Sequence, residues 1–426
     1  MSTGLVIDEN REFRRSVAAW LKDRQWTVLE TDTIAAGLEL SQRHPPQLVL
    51  CDLRPPREGS LHFCRQIHQL QDPAKPCLIV ATGNGCASDR FHSLEAGADV
   101  YLSRPLDFGT FADLLGRGAG TPPNAVPVSP EVPRVRLKFW GVRGSIPTPG
   151  PATVYYGGNT SCVELRVGRD IIVLDSGSGI RRLGLALGAE FKNQPVNLSV
   201  LITHTHWDHI QGFPFFIPAY NPKNQITLVG FEGARQGLQS TLSSQMESPY
   251  FPVSMHQMPG HLSIQEVKGL GFKIGEVPVS AQFLNHPGAC TGYRLRTPGG
   301  DISYLPDVEL SHRLRDGAAG ANEQDRKVLD FIRDSEVLIL DSQYTAEEYE
   351  KHIGWGHSCA DDSVAFALAA KVKRFYLFHH DPDHNDEQVS RMVARARQIA
   401  ARHGSSMMVE AAREGVEVVL DVARKT

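Results

Sequence analysis

Four side chains able to hold a transition metal fall together in the segment NLSVLITHTHWDHIQGFP: His204, His206, Asp208 and His209. They follow a β-rich apolar run, Leu198–Thr203, so they leave the end of a predicted strand as a group. Imidazole suits zinc, iron and other borderline first-row metals, and a carboxylate adds a hard ligand. A lone histidine is most often a satisfied core or surface residue. A cluster of this density points to a metal, because polar and charged groups are costly to bury without partners. Other groups able to bind metal or move protons stand after apolar runs: Asp175 in VLDSGSGI, His286 in FLNHPG, Asp307 in ISYLPDVE, Asp341 in LILDSQYT, and His379 with His380 in FYLFHHDPDH. His357 and Ser358 precede a predicted helix in IGWGHSCADDSVAFALAAK, where Ser358 or Asp361 is the expected cap and the helix start favours an anion.

The HxHxDH segment resembles the signature of the metallo-β-lactamase superfamily, and the resemblance extends over about residues 135–426. It implies an αββα sandwich, two mixed sheets between helices, with metal at one sheet edge. It implies one ion on His204, His206 and His286, a second on Asp208, His209 and His379, Asp307 bridging them, and Asp175 orienting the histidines from behind. His380 competes with His379 for the last ligand position. The implied cofactors are two divalent transition ions, zinc first and manganese or iron otherwise; such a pair lies about 3.5–4 Å apart and clamps an in-line displacement. Histidine at position 206, where the diiron flavoproteins of the superfamily carry glutamate, points away from oxygen reduction.

The fold serves lactams, lactones, thioesters, phosphodiesters and redox chemistry, so the metal site alone does not choose a reaction. Asp341 and His357-Ser358 resemble the acid and the HS(T/S) histidine of ribonuclease Z and related phosphodiesterases. Here the acid is aspartate rather than glutamate, and cysteine follows His-Ser where threonine is common. The segments KFWGVRGSIPTPG and YYGGNTSCVEL resemble a bacterial branch near ribonuclease Z and the cyclic-phosphate phosphodiesterases. Their Arg143, Tyr156 and Asn159 either reach the site or sit in glycine-rich turns that merely shape hairpins. The resemblance implies a phosphodiesterase with Asp208, His357 and Asp341 as catalytic residues, acting on a cyclic nucleotide or dinucleotide signal. A lactone or thioester hydrolase and a non-catalytic signalling module are the alternatives. Phe213, Phe215, Phe216, Tyr250 and Phe251 either line a pocket that stacks a nucleobase or pack as plain core. His256 and His261 are read as non-ligands. No basic, glycine-rich arm of the kind used to grip transfer RNA is visible, which disfavours nucleic acid as partner.

The elements that must position these groups divide into two regions. Gly116–Pro133 holds five prolines and three glycines without apolar periodicity, so a linker over 118–134 separates a domain over 1–117 from one over 135–426. In the first, Gly4–Ile7, Thr27–Glu30, Leu48–Cys51, Leu78–Ala81 and Val100–Leu102 read as strands, and Arg11–Asp23, Thr33–Arg43, Ser60–Gln69 and Ala87–Ala96 as helices. That alternation is a doubly wound (βα)5 parallel sheet, whose functional groups gather at the carboxyl ends of strands. Asp8, Glu9, Asp52, Thr82 and Arg104 stand there and resemble a response-regulator receiver. The resemblance implies magnesium on Asp8 and Glu9, Asp52 as phosphoacceptor, Thr82 as switch and a sensor kinase as donor. Arg104-Pro105 replaces the usual Lys-Pro, and a broad guanidinium is not a point-charge ammonium, so phosphorylation is put in doubt. A receiver that only docks or forms a homodimer is the intermediate reading.

The chain has 426 residues, 41% hydrophobic and 22% charged, and a net charge of −4, which opposes bulk binding of a polyanion and leaves room for a small anionic substrate. Seven cysteines (Cys51, Cys64, Cys77, Cys86, Cys162, Cys290, Cys359) form no CxxC pair and read as reduced thiols. The charged opening segment MSTGLVIDENREFRRS is not a signal peptide, and no run is long enough to span a bilayer. The expectation is a cytoplasmic protein without a membrane partner.

Overall fold

In a computed structural model, residues 2–52, 58–69, 78–83, 96–103, 135–192, 194–231, 237–310 and 322–422 are described, with Leu106, Phe108, Phe111 and Leu115. The chain folds as two compact units, Met1–Pro130 and Glu131–Thr426.

The first unit runs β1 (Thr3–Ile7), α1 (Arg11–Lys22), β2 (Thr27–Thr31), α2 (Ile34–Arg43), β3 (Leu48–Asp52), α3 (Glu58–Gln69), β4 (Leu78–Gly83) and β5 (Val100–Ser103). The strands form one parallel sheet in the order β2-β1-β3-β4-β5, the doubly wound arrangement the alternation predicts. Strand β3, LVLCD, is buried at every position, as a parallel strand covered on both faces must be. Asn10 starts α1 by accepting the N–H groups of Glu12 and Phe13, and Thr33 starts α2 by accepting that of Ala36. Asp8 follows β1, and Asp52 ends β3 opposite Thr82 of β4. Asp8 and Asp52 are buried, whereas Glu9 is exposed. Arg104, the linker over 118–134 and residues 87–95 of the expected helix Ala87–Ala96 lie outside the described residues.

The second unit begins with β6 (Val135–Gly141), β7 (Cys162–Val167), β8 (Asp170–Leu174), α4 (Ile180–Phe191), β9 (Asn197–Leu201), α5 (Trp207–Ile210), β10 (Gln225–Phe231), α6 (Leu238–Ser244) and β11 (His261–Val267). It continues with β12 (Gly271–Ile274), β13 (Val277–Phe283), β14 (Thr291–Thr297), β15 (Gly300–Leu305), α7 (Glu323–Ile332), β16 (Val337–Asp341), α8 (Ala346–Tyr349) and α9 (Ala360–Ala369). The last elements are β17 (Arg374–Phe378), α10 (Asp386–Arg402), β18 (Met408–Ala411) and β19 (Glu417–Leu420). Two seven-stranded sheets result, β11-β10-β9-β8-β7-β6-β19 and β12-β13-β14-β15-β16-β17-β18.

Side-chain alternation explains why these sheets stack. In β16 (VLILD), Val337 and Ile339 face the core between the sheets, while Leu338 and Leu340 face the core that holds α7, α9 and α10. In β8, Ile172 and Leu174 join the same inter-sheet core, while Ile171 and Val173 pack with α4 and α6. Each sheet therefore has one face on its partner and one on helices, an αββα sandwich. Strands β8 and β9 run parallel, as do β15, β16 and β17, so within each sheet their carboxyl ends open on one edge. No helix among the described residues is long and apolar enough to cross a membrane.

Candidate metal centre

The strand ends deliver the predicted residues to one hollow. Asp175 follows β8, the HxHxDH segment follows β9, His286 follows β13, Asp307 follows β15, Asp341 ends β16 and His379 follows β17. Asp175 and His379 both adopt left-handed backbone, with φ of 61° and 60°. Non-glycine residues persist there only where their surroundings fix them, which is common at functional sites.

Among the described residues, ligand-capable atoms lie within 4.8 Å of one another in four overlapping groups: His204 with His206 and His286; Asp208 with His209, Asp307 and His379; His286 with Asp307 and His357; and Asp341 with His357 and His379. Asp307 Oδ1 stands 3.0 Å from His209 Nε2; its Oδ2 lies 3.4 Å from His379 Nε2, 3.7 Å from His204 Nε2 and 3.9 Å from His286 Nε2. Asp307 thus sits between the first two groups. Asp208 Oδ2 lies 3.0 Å from His379 Nε2 and 3.2 Å from His209 Nε2, and also accepts the Ser145 N–H at 2.8 Å.

The outward ring nitrogens decide what the inward ones can do. His209 Nδ1–H donates to Asp175 at 2.8 Å, His286 Nδ1–H to the Gly356 carbonyl at 2.9 Å and His379 Nδ1–H to Gln343 Oε1 at 2.9 Å. His204 Nδ1 meets the Thr203 hydroxyl at 3.1 Å, and that hydroxyl donates to Asp175 at 2.9 Å. With each Nδ1 engaged, the Nε2 lone pairs turn inward, towards carboxylates and one another. His286 Nε2 and His206 Nδ1 face each other at 3.0 Å. His204 Nε2, His209 Nε2 and Asp307 Oδ1 are buried without an aligned hydrogen-bond partner. Lone pairs and carboxylates this close repel unless positive charge stands among them, so the donor set fits divalent cations with mixed nitrogen and oxygen ligation.

Burial and neighbouring charge pull these groups in opposite directions. Burial alone would raise Asp307, but His209 and His379 hold it well below the usual carboxylate range. Burial depresses His204 well below the ordinary histidine value, with His209 adding to the effect. Burial also opposes charge on His209, yet Asp208, Asp307 and Asp175 outweigh it and raise that group.

Beside the cluster, His357 Nδ1 bonds Asp341 Oδ2 at 2.8 Å, and the His357 ring stacks on His379 with centroids 4.8 Å apart. Burial would lower His357, but the Asp341 carboxylate reverses this and takes it to about 9. Asp341 is fully buried and also accepts the N–H groups of Val308, Gln343 and Ser358, so it ties the loops after β15 and β16 together.

One sequence expectation, the cap of α9, is corrected, and several alternatives the sequence left open take one side. Neither Ser358 nor Asp361 caps α9. Its N-cap is Cys359 with no side-chain cap, because the Ser358 hydroxyl is drawn to the Val308 carbonyl and accepts the Leu310 N–H, while Asp361 pairs with Arg395. Arg143, Tyr156 and Asn159 do not reach the site. The Arg143 guanidinium is fully buried and donates to the carbonyls of Gly157, Asp381 and His384; Asn159 donates to Glu414, and Tyr156 bonds Ser390. They brace the turn in which Gly144 N–H meets the His380 carbonyl beside His379. His380 Nε2 bonds the Ala412 carbonyl and takes no place in the cluster. Phe213 and Phe216 are fully buried in the α4-side core; Phe215 and Tyr250 are exposed, and Phe251 packs edge-on against Phe215.

Sequence reasoning missed the braces. Gln343 lies two residues after Asp341, and its amide also donates to Asp381. Glu309, two residues after Asp307, accepts the N–H groups of Gly354 and Gly356, fixing the carbonyl that holds His286. The offset of two along a strand end is the one available signal.

Comparison with known proteins agrees with this geometry. Residues 171–380 match the family model of the beta-lactamase superfamily domain, which spans the clustered residues from Asp175 to His379, and residues 5–115 match that of the response regulator receiver domain. Ribonuclease Z of Pyrococcus horikoshii is 24% identical over 280 residues, covering 58% of this chain and 87% of that protein. Ribonuclease Z of Metallosphaera sedula is 27% identical over 252 residues, covering 54% and 84%. The KDP operon transcriptional regulatory protein KdpE of Escherichia coli is 31% identical over 109 residues, covering 26% and 47%. The chain therefore joins a response-regulator receiver domain to a metal-dependent hydrolase domain of the beta-lactamase superfamily.

Proposed function

We propose that the second unit is a dinuclear phosphodiesterase for small nucleotide diesters, a cyclic nucleotide or a dinucleotide, with the receiver as its input. The observation that carries this reading is the Asp341–His357 pair set against the ligand cluster. His357 Nδ1 is committed to Asp341, so Nε2 is the nitrogen left to meet substrate. Its ring lies 4.8 Å from that of His379 and 5.1 Å from that of His286. A donor so placed suits an oxygen-rich phosphoryl group, where charge must be met on more than one oxygen. The ribonuclease Z relatives support the same chemistry.

In this reading His204, His206 and His286 hold one divalent ion, Asp208, His209 and His379 the other, and Asp307 stands between them. Zinc is the first choice, and the ions would supply Lewis acidity and a water of lowered pKa. The protein's own part is positional. Asp175 and Gln343 keep the imidazoles turned inward, and Ser145 steadies Asp208. His357 donates from Nε2 to a phosphoryl or leaving oxygen, and Asp341 keeps it in register. In the receiver, Asp8 and Glu9 would hold magnesium beside Asp52 with Thr82 as the switch hydroxyl, and Arg104 in place of lysine makes Asp52 a poor acceptor for phosphate from a sensor kinase.

The test is a metal-replete screen of the full chain on cyclic nucleotides, dinucleotides, RNA, lactones and thioesters, repeated with His357→Ala, Asp341→Asn and the double variant. His357→Ala should keep its metal and lose roughly 10²–10⁴-fold in phosphodiester turnover. Asp341→Asn should do less damage, and the double variant little more than His357→Ala, because the pair acts as a unit. Full turnover by His357→Ala, or turnover of lactones and thioesters alone, would overturn the reading.

A further inference from the structure

Exposed tryptophan is uncommon, because the indole carries a large apolar surface. The chain has five tryptophans. Trp140 is buried with its indole N–H on Glu164, and Trp20 and Trp26 pack half-buried in the receiver core. The other two, Trp207 and Trp355, are 71% and 60% exposed. Both stand beside the metal cluster. Trp207 lies between His206 and Asp208, one residue from each ligand group. Trp355 adjoins Gly356, whose carbonyl holds His286, and lies two residues before His357. His206 and His286 face each other at 3.0 Å, and each of the two tryptophans is tied by the chain to one partner of that contact, Trp207 as the neighbour of His206 and Trp355 as the neighbour of the Gly356 that holds His286.

Trp355 is also held in place while it is exposed. Its ring meets the edge of His352 with centroids 4.8 Å apart, and His352 stacks on Tyr344 at 4.5 Å and 13°. Among the described residues neither indole N–H of this pair bonds a protein acceptor. Flat, exposed, oriented apolar surface beside a polar reaction centre is what a stacked ring would cover.

We infer that Trp207 and Trp355, each next in the chain to a residue that forms or holds the metal centre, are specificity-determining stacking platforms, and that the substrate is a dinucleotide whose two bases they receive. This inference rests on the phosphodiesterase reading and chooses between its two substrates. A cyclic mononucleotide has one base and can engage only one platform. Phe213 and Phe216 cannot substitute, since they are fully buried, and the exposed Phe215 already meets Phe251 edge-on.

The test uses the full metal-loaded chain with adenylyl-(3′→5′)-adenosine as substrate and its phosphorothioate as a slowly cleaved binding probe, with 3′,5′-cyclic AMP as the one-base comparison. Trp207→Ala and Trp355→Ala should each weaken phosphorothioate binding by calorimetry, and raise KM, by roughly 5- to 150-fold while kcat changes little. The two effects should multiply in the double variant, because the platforms act on separate bases. Trp→Phe at either position should restore most of the affinity. Cyclic AMP should respond to one substitution and not to both. In the unmodified protein the phosphorothioate should quench the emission of both exposed indoles. Dinucleotide cleavage that is indifferent to both substitutions would overturn the inference and leave the phosphodiesterase reading standing. Tight, tryptophan-dependent binding without cleavage would do the reverse. Binding of longer RNA that far exceeds the dinucleotide and is insensitive to either indole would sink the two-base site.

Discussion

Replacing Asp175 probes how the metal centre is organised, because this one carboxylate serves two of its imidazoles. It is fully buried and accepts the Thr203 N–H at 2.8 Å, the Thr203 hydroxyl at 2.9 Å, the His209 Nδ1–H at 2.8 Å and the Tyr304 hydroxyl at 2.9 Å. Asp175→Ala would strand these donors in a dry core. Each unmet buried donor costs about 1–3 kcal/mol, and losses at neighbouring groups overlap, so a destabilisation of roughly 3–5 kcal/mol is expected. That is a large part of the 5–15 kcal/mol typical of a whole domain, so this variant reports mainly on folding.

Asp175→Asn isolates the orienting role. The amide keeps the volume and one acceptor oxygen but turns an NH2 towards the remaining donors. The hydroxyls of Thr203 and Tyr304 can rotate to accept from it; the Thr203 and His209 N–H groups cannot, and they compete for the single oxygen. A stability loss of about 1–3 kcal/mol should follow. Metal affinity should fall roughly 10–100-fold, the usual effect of losing an outer partner of a ligating imidazole. Both ions should weaken, since His209 is held directly and His204 through Thr203. Competition of the full chain against a chromogenic zinc chelator, with denaturant unfolding of the metal-free protein as control, separates the two effects. Unchanged affinity for both ions would refute the argument that the outward hydrogen bonds turn the Nε2 lone pairs inward.

Three further expectations follow from the same geometry. Reconstituted protein should carry close to two transition ions per chain by elemental analysis, and Asp208→Ala should bring this towards one, because Asp208 contacts His209 and His379 at 3.2 and 3.0 Å. Gly144→Ala should cost metal at the same ion without replacing a ligand: an added Cβ would lie 2.4 Å from the His379 ring and force it off Gln343, so calorimetry should show one binding event weakened by at least 10-fold. In the receiver, labelling of Asp52 by acetyl phosphate should be weak and partly restored by Arg104→Lys; rapid stoichiometric labelling of the unmodified protein would show that guanidinium is no handicap.

The positions of the candidate ligands were readable in the sequence because they are set locally. His204, His286, Asp307 and His379 each follow an apolar strand, and strands of an open sheet deliver their following residues to one edge. Their orientation was not readable, because it is set by partners far along the chain. Tyr304 reaches Asp175 across 129 residues, and Arg143 reaches the His384 carbonyl across 241. The role of Arg143 stayed open between the site and a hairpin turn, since a sequence shows a charge and not the carbonyls that will surround it. In the FPFF segment, alternate burial inside short 3-10 turns hides Phe213 and Phe216 and exposes Phe215, a pattern neither helix nor strand periodicity encodes. Ser358 failed as a cap for a related reason: the helix starts after Cys359, and the Val308 carbonyl takes the hydroxyl first. The residues missed at the site therefore share one property. They hold a ligand or its loop through a bond whose other end lies in a different element, so changes at Gln343, Glu309 or Arg143 should shift metal geometry while every residue of the HxHxDH segment stays intact.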